Sequence, residues 1–342
     1  MRSSSKNMAD QKKVAVIGDG GWGTTLAILL DSKGYKVSLW GAFAEYTGMM
    51  KLSRENTKFL PGIKIPGTIE LTSEIGQPVR DSDVIVMAVP SQYMRKVSGI
   101  LKGMDTGGKL FVSVSKGVEN GSLMRMSEVI NDVLGNVRIG ALSGPTISYE
   151  VARGLPTTVV AASSDESAAK EIQDLFMTEN FRIYSNTDVI GVELGGSLKN
   201  VIAIAAGISD GLGFGVNTKS GLLVRGIVEI ARLGTGMGAK HETFYGISGL
   251  GDLVTTCVST HGRNRWFGEQ IGKGKAPDAI LKSTEMAVEG VGTAKSCHEL
   301  CVKYGIEMPI ADEVYNVVFE GKDPKAAVRN LMTRSKKSED RK

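Results

Sequence analysis

The sequence predicts an α/β protein, with a doubly wound sheet in its N-terminal part and an all-α domain in its C-terminal part. Three observations carry this. Short apolar runs alternate with helical stretches as far as residue 188. Beyond that point strand-like runs stop and helical spacing takes over. The 342 residues also exceed what one compact core holds, so two domains are expected.

The first unit sets the pattern. KKVAVIG (12–18) is a short apolar run that ends at Gly18, as a buried strand does. TTLAILLDSKG (24–34) has helical spacing and stops at Gly34. YKVSLW (35–40) reads as a second strand, and the three make a βαβ unit of parallel type. Further strands are expected within 84–90, 109–115, 138–144 and 157–162, with helices over 121–134 and 166–177. Helices are then expected over 188–208, 217–234, 242–256, 262–272, 277–284, 291–304, 309–319 and 323–332. Asn186 or Asp188 is placed to cap the first of these. That helix is apolar enough to suggest a membrane span. Glu193 and Lys199 interrupt it, and mid-bilayer charges are costly, so it reads as a buried core helix and no integral membrane segment is expected.

Composition narrows the function classes. The formal charge is +4, but each basic end carries +3 and leaves the body at −2, so nucleic acid is not an expected partner. Residues 1–10 read as a disordered extension and 334–342 as a basic tail. The three cysteines, Cys257, Cys297 and Cys301, are too few and odd in number for a disulfide framework. No apolar signal core stands at the N-terminus, so a cytoplasmic location is expected. Cys297, His298 and Cys301 lack a second ligand pair nearby, and no metal is expected. The 43 glycines are well above the typical ~7% and fit a chain with many tight turns and close backbone approaches.

Gly18-Asp19-Gly20-Gly21-Trp22-Gly23 fits G-x-G-x-x-G, follows a strand and opens a helix. Gly18 permits the tight turn, Gly20 lets the backbone approach a pyrophosphate, and Gly23 lets helix pack on strand. A dinucleotide cofactor is expected there, with its phosphates at the positive helix end. The acid that usually binds the ribose at the end of the second strand is missing: Leu39-Trp40-Gly41-Ala42-Phe43 stands there, and Glu45 is the first carboxylate. No basic residue is clearly placed for a 2′-phosphate either. Dual use is expected, with NADPH accepted at least as well as NADH, unless Glu45 or an acid distant in sequence folds back onto the ribose. Phe43 is a candidate to pack on adenine.

Pro90 and Lys116-Gly117 follow strands, where loops line a ligand crevice. Lys116 there can bind a phosphate or polarise a carbonyl. Gly191, Gly195, Lys199, Ala203 and Gly207 recur every fourth residue, a small-sided helix stripe broken by one lysine. Small neighbours leave room for a ligand, and burial draws a lysine toward catalytic range. Asn200 adjoins it, and Asp252 is a candidate partner, followed by Thr256 within a turn. Gly262-Arg263-Asn264 offers a guanidinium and an amide, with Arg263 able to hold a phosphate. SDGLGFG (209–215) follows no strand and reads as a loop. His241, His261 and His298 lie in no catalytic pattern, which favours a lysine as the acid–base group.

Together these stretches resemble the bacterial NAD(P)-dependent glycerol-3-phosphate dehydrogenases from about residue 13 to 332. The matching segments are GDGGWGTTLA (18–27), FLPGIKIP (59–66), AVPSQ (88–92), SKGVE (115–119), LSGPT (142–146), ELGGSLKNVIAIAAGISDGLGFGVNTK (193–219), GLGDLVTTC (249–257), GRNRWFG (262–268), VEG (288–290) and MPI (308–310). The resemblance implies a Rossmann-type domain over 11–188 and a helical substrate domain over 189–333. It implies NAD(P)H as cofactor, a phosphorylated small-molecule substrate, a homodimer, and a role in phospholipid supply. It implies Lys199 as the proton-transfer residue, with Lys116 and Asp252 beside it. Asn200, Thr256, Gly262, Arg263, Asn264, Gly144 and Thr146 match substrate positions. Gly18, Gly20, Gly21, Trp22, Gly23, Ala42, Phe43, Pro90, Ser148, Val288 and Glu289 match cofactor positions, as Lys116 and Arg263 also do. A hydroxyacid dehydrogenase using a helical lysine, or a non-catalytic nicotinamide sensor, would share only parts of this set.

Overall fold

A computed structural model describes residues 12–260, 262–336 and 338–339. The extension expected at 1–10, His261, and part of the tail expected at 334–342 lie outside the described residues. The described chain divides into two compact units. The first holds the residues up to Lys116 and Met124–Glu193; the second holds Gly117–Leu123 and the residues from Leu194 on.

The first unit is an eight-stranded sheet in the order β3-β2-β1-β4-β5-β6-β7-β8. Its elements are β1 (Lys13–Ile17), α1 (Gly21–Ser32), β2 (Lys36–Trp40), α2 (Ala44–Ser53), β3 (Glu70–Thr72), α3 (Gly76–Asp81), β4 (Val84–Met87), α4 (Met94–Leu101), β5 (Leu110–Ser113), α5 (Met126–Leu134), β6 (Arg138–Ser143), α6 (Ser148–Ala152), β7 (Thr157–Ala162), α7 (Glu166–Phe176) and β8 (Phe181–Asn186). All neighbours pair in parallel except β6 and β7. Successive side chains of a strand serve opposite faces. In β1, Val14 and Val16 join one core cluster, while Ala15 and Ile17 join the other. Both faces are therefore covered, as a doubly wound sheet requires. The strand order reverses between β1 and β4, and a ligand crevice is expected outside the carboxyl ends at such a reversal. Gly18 and Ala88 stand at those two ends, so close that a Cβ on Gly18 would lie 2.6 Å from the Ala88 carbonyl oxygen.

The second unit is helical. It contains most of α8 (Val189–Gly211), then α9 (Val216–Gly236), α10 (Asp252–Val258), α11 (Arg263–Gly272), α12 (Pro277–Lys282), α13 (Glu289–Tyr304), α14 (Pro309–Phe319) and α15 (Pro324–Met332). Asp188 caps α8, its carboxylate accepting from the Gly191 N–H at 3.0 Å. Helix α8 passes a membrane-span test by length and composition, but 83% of its most apolar window is buried inside the protein. Ser296 on α13 donates to the Val118 carbonyl at 3.0 Å, which ties the short segment Gly117–Leu123 into this unit.

The single helix expected over 242–256 is three pieces. Residues His241–Tyr245 form a 3₁₀ turn, Ile247–Gly251 a π turn, and Asp252 begins α10. Glycines at 246, 249 and 251 make a continuous α-helix costly.

Glu229 on α9 is buried and accepts from the Ile310 N–H at 3.0 Å, so it caps α14 from a neighbouring helix. Burial pushes its carboxyl pKa up to about 7, opposed by the backbone donors Ile310 and Ala311 and by Arg232, and assisted by Asp312. Between the unfolded value of 4.5 and about 7 the folded state keeps a proton that the unfolded state loses. Stability contributed here is therefore lost as pH rises through that window, by on the order of 3 kcal/mol. Glu229→Gln should gain thermal stability relative to wild type as pH goes from 5 to 8. A pH-independent difference in Tm between the two proteins would contradict this.

Candidate active site

In the first unit the glycine loop is shaped for a dinucleotide. Gly18 has φ +121°, a region that favours glycine. Its N–H donates to the Trp40 carbonyl at 2.9 Å, which fixes the loop to the end of β2. A Cβ on Gly23 would overlap the Gly18 carbonyl oxygen, so only glycine lets α1 start there. A Cβ on Gly20 would meet nothing within 4 Å, which leaves this backbone open to a phosphate. The first turn of α1 has no acidic residue and no side-chain cap, so its N–H groups and positive end are available to an anion. These features fit a pyrophosphate.

Trp22 is the second residue of α1. Its side chain packs against the core of the first unit, with Phe181 6.4 Å away between ring centroids. Its backbone N–H lies in the first turn of α1. Ala42 and Phe43 are exposed at the start of α2, and Phe43 is 72% exposed. Pro90 is exposed after β4. Ser148 opens α6, and its carbonyl accepts from Thr25 Oγ1 at 3.2 Å on α1. Lys116, beyond the end of β5, donates to the Gly144 carbonyl at 2.8 Å and to Thr146 Oγ1 at 3.0 Å. The structure thus joins three expected residues, Lys116, Gly144 and Thr146, into one cluster.

Asn56 has no place in the sequence expectations. It is fully buried on the loop between α2 and β3. Its amide donates to the Asp19 carbonyl and to Thr24 Oγ1, both at 2.7 Å. Its own oxygen accepts from the Tyr46 hydroxyl at 2.7 Å and the Phe59 N–H at 3.1 Å. It pins the glycine loop in place.

In the second unit Lys199 is 5% exposed on α8. Its Nζ donates to Asp252 Oδ1 and to Thr256 Oγ1, both on α10. The π turn Ile247–Gly251 immediately precedes Asp252, and such turns often serve to aim functional side chains.

Asn200 Oδ1 accepts from Asn264 Nδ2 at 2.9 Å, and Asn264 Oδ1 accepts from the Gly290 N–H at 2.9 Å. This chain links α8, α11 and α13. Gly262 precedes α11, whose first turn has no acidic residue. Arg263 follows it, and its side chain remains open to solvent. Surrounding protein pushes the guanidinium pKa down, opposed by Glu289, which opens α13 after Val288. The group stays a cation at neutral pH and is suited to an anion.

The stripe of small residues on α8 does not leave room for a ligand. A Cβ on Gly195 would lie 2.9 Å from the Ser248 carbonyl oxygen, and one on Gly207 would overlap the Arg265 carbonyl. On the facing helix, Gly268 is pressed against Ile204 in the same way. These glycines let α8 and α11 touch backbone to backbone, and so set Asn200 beside Asn264. SDGLGFG is the end of α8 and its exit, where Asp210 pairs with Lys219 and Arg265, each at 2.7 Å.

Comparisons with known proteins agree with this assembly. Residues 13–169 match the family model of the NAD-dependent glycerol-3-phosphate dehydrogenase N-terminus, and residues 188–329 match that of its C-terminus. A glycerol-3-phosphate dehydrogenase [NAD(P)+] from Prosthecochloris aestuarii is 48% identical, over 95% of this chain and 99% of its own. One from Clostridium perfringens is 44% identical, over 96% and 99%. The crystal structure of glycerol-3-phosphate dehydrogenase from Coxiella burnetii superposes with a TM-score of 0.92 at 36% identity, covering 95% of this chain and 99% of that one.

Proposed function

The chain belongs to the NAD-dependent glycerol-3-phosphate dehydrogenase family, and on that basis we propose how its residues divide the work. It is an oxidoreductase that interconverts sn-glycerol 3-phosphate and dihydroxyacetone phosphate with NAD(P)H. When bound, the reduced nicotinamide supplies the hydride that reduces the carbonyl carbon. The glycine loop would hold the pyrophosphate of the cofactor on the N–H groups of Gly21, Trp22 and Gly23. Lys199, as its ammonium, gives a proton to the oxygen that becomes the hydroxyl. In the reverse direction its amine takes that proton. Asp252 and Thr256 keep Nζ in one position and hold the charge. Lys116, its Nζ held by the Gly144 carbonyl and Thr146 Oγ1, offers a second ammonium to the substrate. Arg263 and Asn264 bind the phosphate, and that remote binding energy positions the carbonyl.

The observation that supports this most is the buried ammonium of Lys199 held by one carboxylate and one hydroxyl. A buried pair of this kind is costly to keep, and hydrophobic replacements are often as stable. Function explains its retention better than stability does. Asp252→Asn tests it. Loss of one charge-assisted contact should lower kcat by roughly tenfold or more. The basic limb of the pH profile should also move to lower pH, because the ammonium loses its counter-charge. An unmoved profile with unchanged kcat would remove Asp252 from this role. A homodimer, a cytoplasmic location and supply of glycerol 3-phosphate for phospholipids complete the proposal.

A further inference from the structure

The end of β2 lacks an acid in sequence, yet a carboxylate stands there in space. A Cβ built on Gly41 would collide with Asp19 Oδ2 and lie 2.6 Å from Asp19 Cγ and 2.8 Å from Thr47 Oγ1. The Asp19 side chain, rising from the glycine loop, occupies the space where a side chain at position 41 would begin. That is where the ribose-binding acid of an NAD site starts. A side chain at position 41 would require the Asp19 carboxylate to move aside.

Two further observations mark this carboxylate. Asp19 Oδ2 and Thr47 Oγ1 are both buried and have no hydrogen-bond partner. Unpartnered buried polar atoms are uncommon and costly, and they often point to a missing ligand or a functional constraint. Burial also raises the Asp19 pKa, opposed by its own backbone N–H. The backbone that carries it is held in place: the Asp19 main-chain carbonyl accepts from Asn56 Nδ2 at 2.7 Å and from Thr24 Oγ1 at 3.4 Å. The residue as a whole is only half-buried, so one side stays accessible.

Arg54, a basic residue of the segment that follows β2, gives a 2′-phosphate little help. The Arg54 guanidinium is committed to the Ile69 and Gly67 carbonyls at 2.9 and 3.0 Å. Glu45 lies in the first turn of α2 and is exposed.

We infer that Asp19 replaces the strand-end acid and makes this enzyme select the cofactor with a free ribose 2′-hydroxyl, NADH, over its 2′-phosphorylated counterpart. A ribose hydroxyl donates to the carboxylate. A 2′-phosphate has no proton to donate at neutral pH and is repelled. This revises the dual use expected from residues 40–45, and it rests on the proposal that the glycine loop binds a dinucleotide.

The test measures binding, without substrate or turnover. NADH and NADPH are titrated separately into the full-length protein by calorimetry, in wild type, Asp19→Asn and Asp19→Ala. Wild type should bind NADH at least ~10-fold more tightly than NADPH, and both variants should shrink that ratio by about tenfold. The change should come mainly from tighter NADPH binding. A role limited to holding the loop would weaken both cofactors equally and leave the ratio unmoved, which would overturn the inference. Wild-type affinities within about threefold of each other would also overturn it. Binding of neither cofactor to wild type would overturn the dinucleotide site itself, and the inference with it. Asp19→Asn preserves shape and removes a buried charge, and Asp19→Ala supplies the ratio if the amide perturbs the loop.

Discussion

Lys199→Met is expected to bind cofactor as wild type does and to lose most of its turnover. A positioned acid–base group contributes ~10²–10⁴-fold, and the whole of that should appear in kcat. The ion pair makes the experiment demanding. Removing one partner of a buried pair costs about 3–5 kcal/mol, because Asp252 is left charged and unpaired. Lys199→Arg separates the two effects. It keeps a cation beside Asp252 but holds its protons too tightly to transfer them at neutral pH. Both variants should bind NADH by calorimetry and give the circular dichroism of the wild type. Turnover near the wild-type level in Lys199→Arg would show that proton transfer does not pass through this residue.

Arg263→Ala is expected to remove the enzyme's preference for a phosphorylated substrate. Arg263 is exposed at the start of α11. Loss of a charge-assisted contact is worth roughly 1.5–3 kcal/mol, or about tenfold to a hundredfold in kcat/KM. That loss should fall on dihydroxyacetone phosphate and spare unphosphorylated dihydroxyacetone. Equal losses for the two would show that Arg263 does not read the phosphate. Cofactor affinity measured alongside separates substrate effects from nucleotide effects.

The centre of the sheet was legible in sequence because central strands are buried on both faces and read as unbroken apolar runs. Both edges escaped. β3 is three residues long, and β8 alternates buried and exposed side chains as a half-covered edge strand does. Neither gives an apolar run. The glycine loop was legible because each of its glycines answers a backbone need. Lys199 stood out as a charge inside an apolar helix. Its glycine neighbours were misread, because a bare helix face signals close approach without saying of what: here it is another helix. Asn56 and Asp19 were silent for another reason. Asn56 acts on a loop more than thirty residues away, and Asp19 is one of the positions that G-x-G-x-x-G leaves unspecified. Their roles arise only when the fold brings Asn56 to the loop and Asp19 to Gly41.

Hydride transfer between reduced nicotinamide and a phosphorylated ketone is the activity on which every residue role above depends. It is tested most directly by mixing the purified wild-type protein with dihydroxyacetone phosphate and NADH or NADPH. Loss of the reduced cofactor's absorbance is followed and the product identified. Oxidation of the cofactor is expected in step with formation of glycerol 3-phosphate, far faster than with dihydroxyacetone or a 2-oxo acid. Preferred turnover of an unphosphorylated 2-oxo acid, or no oxidation of either cofactor, would contradict it.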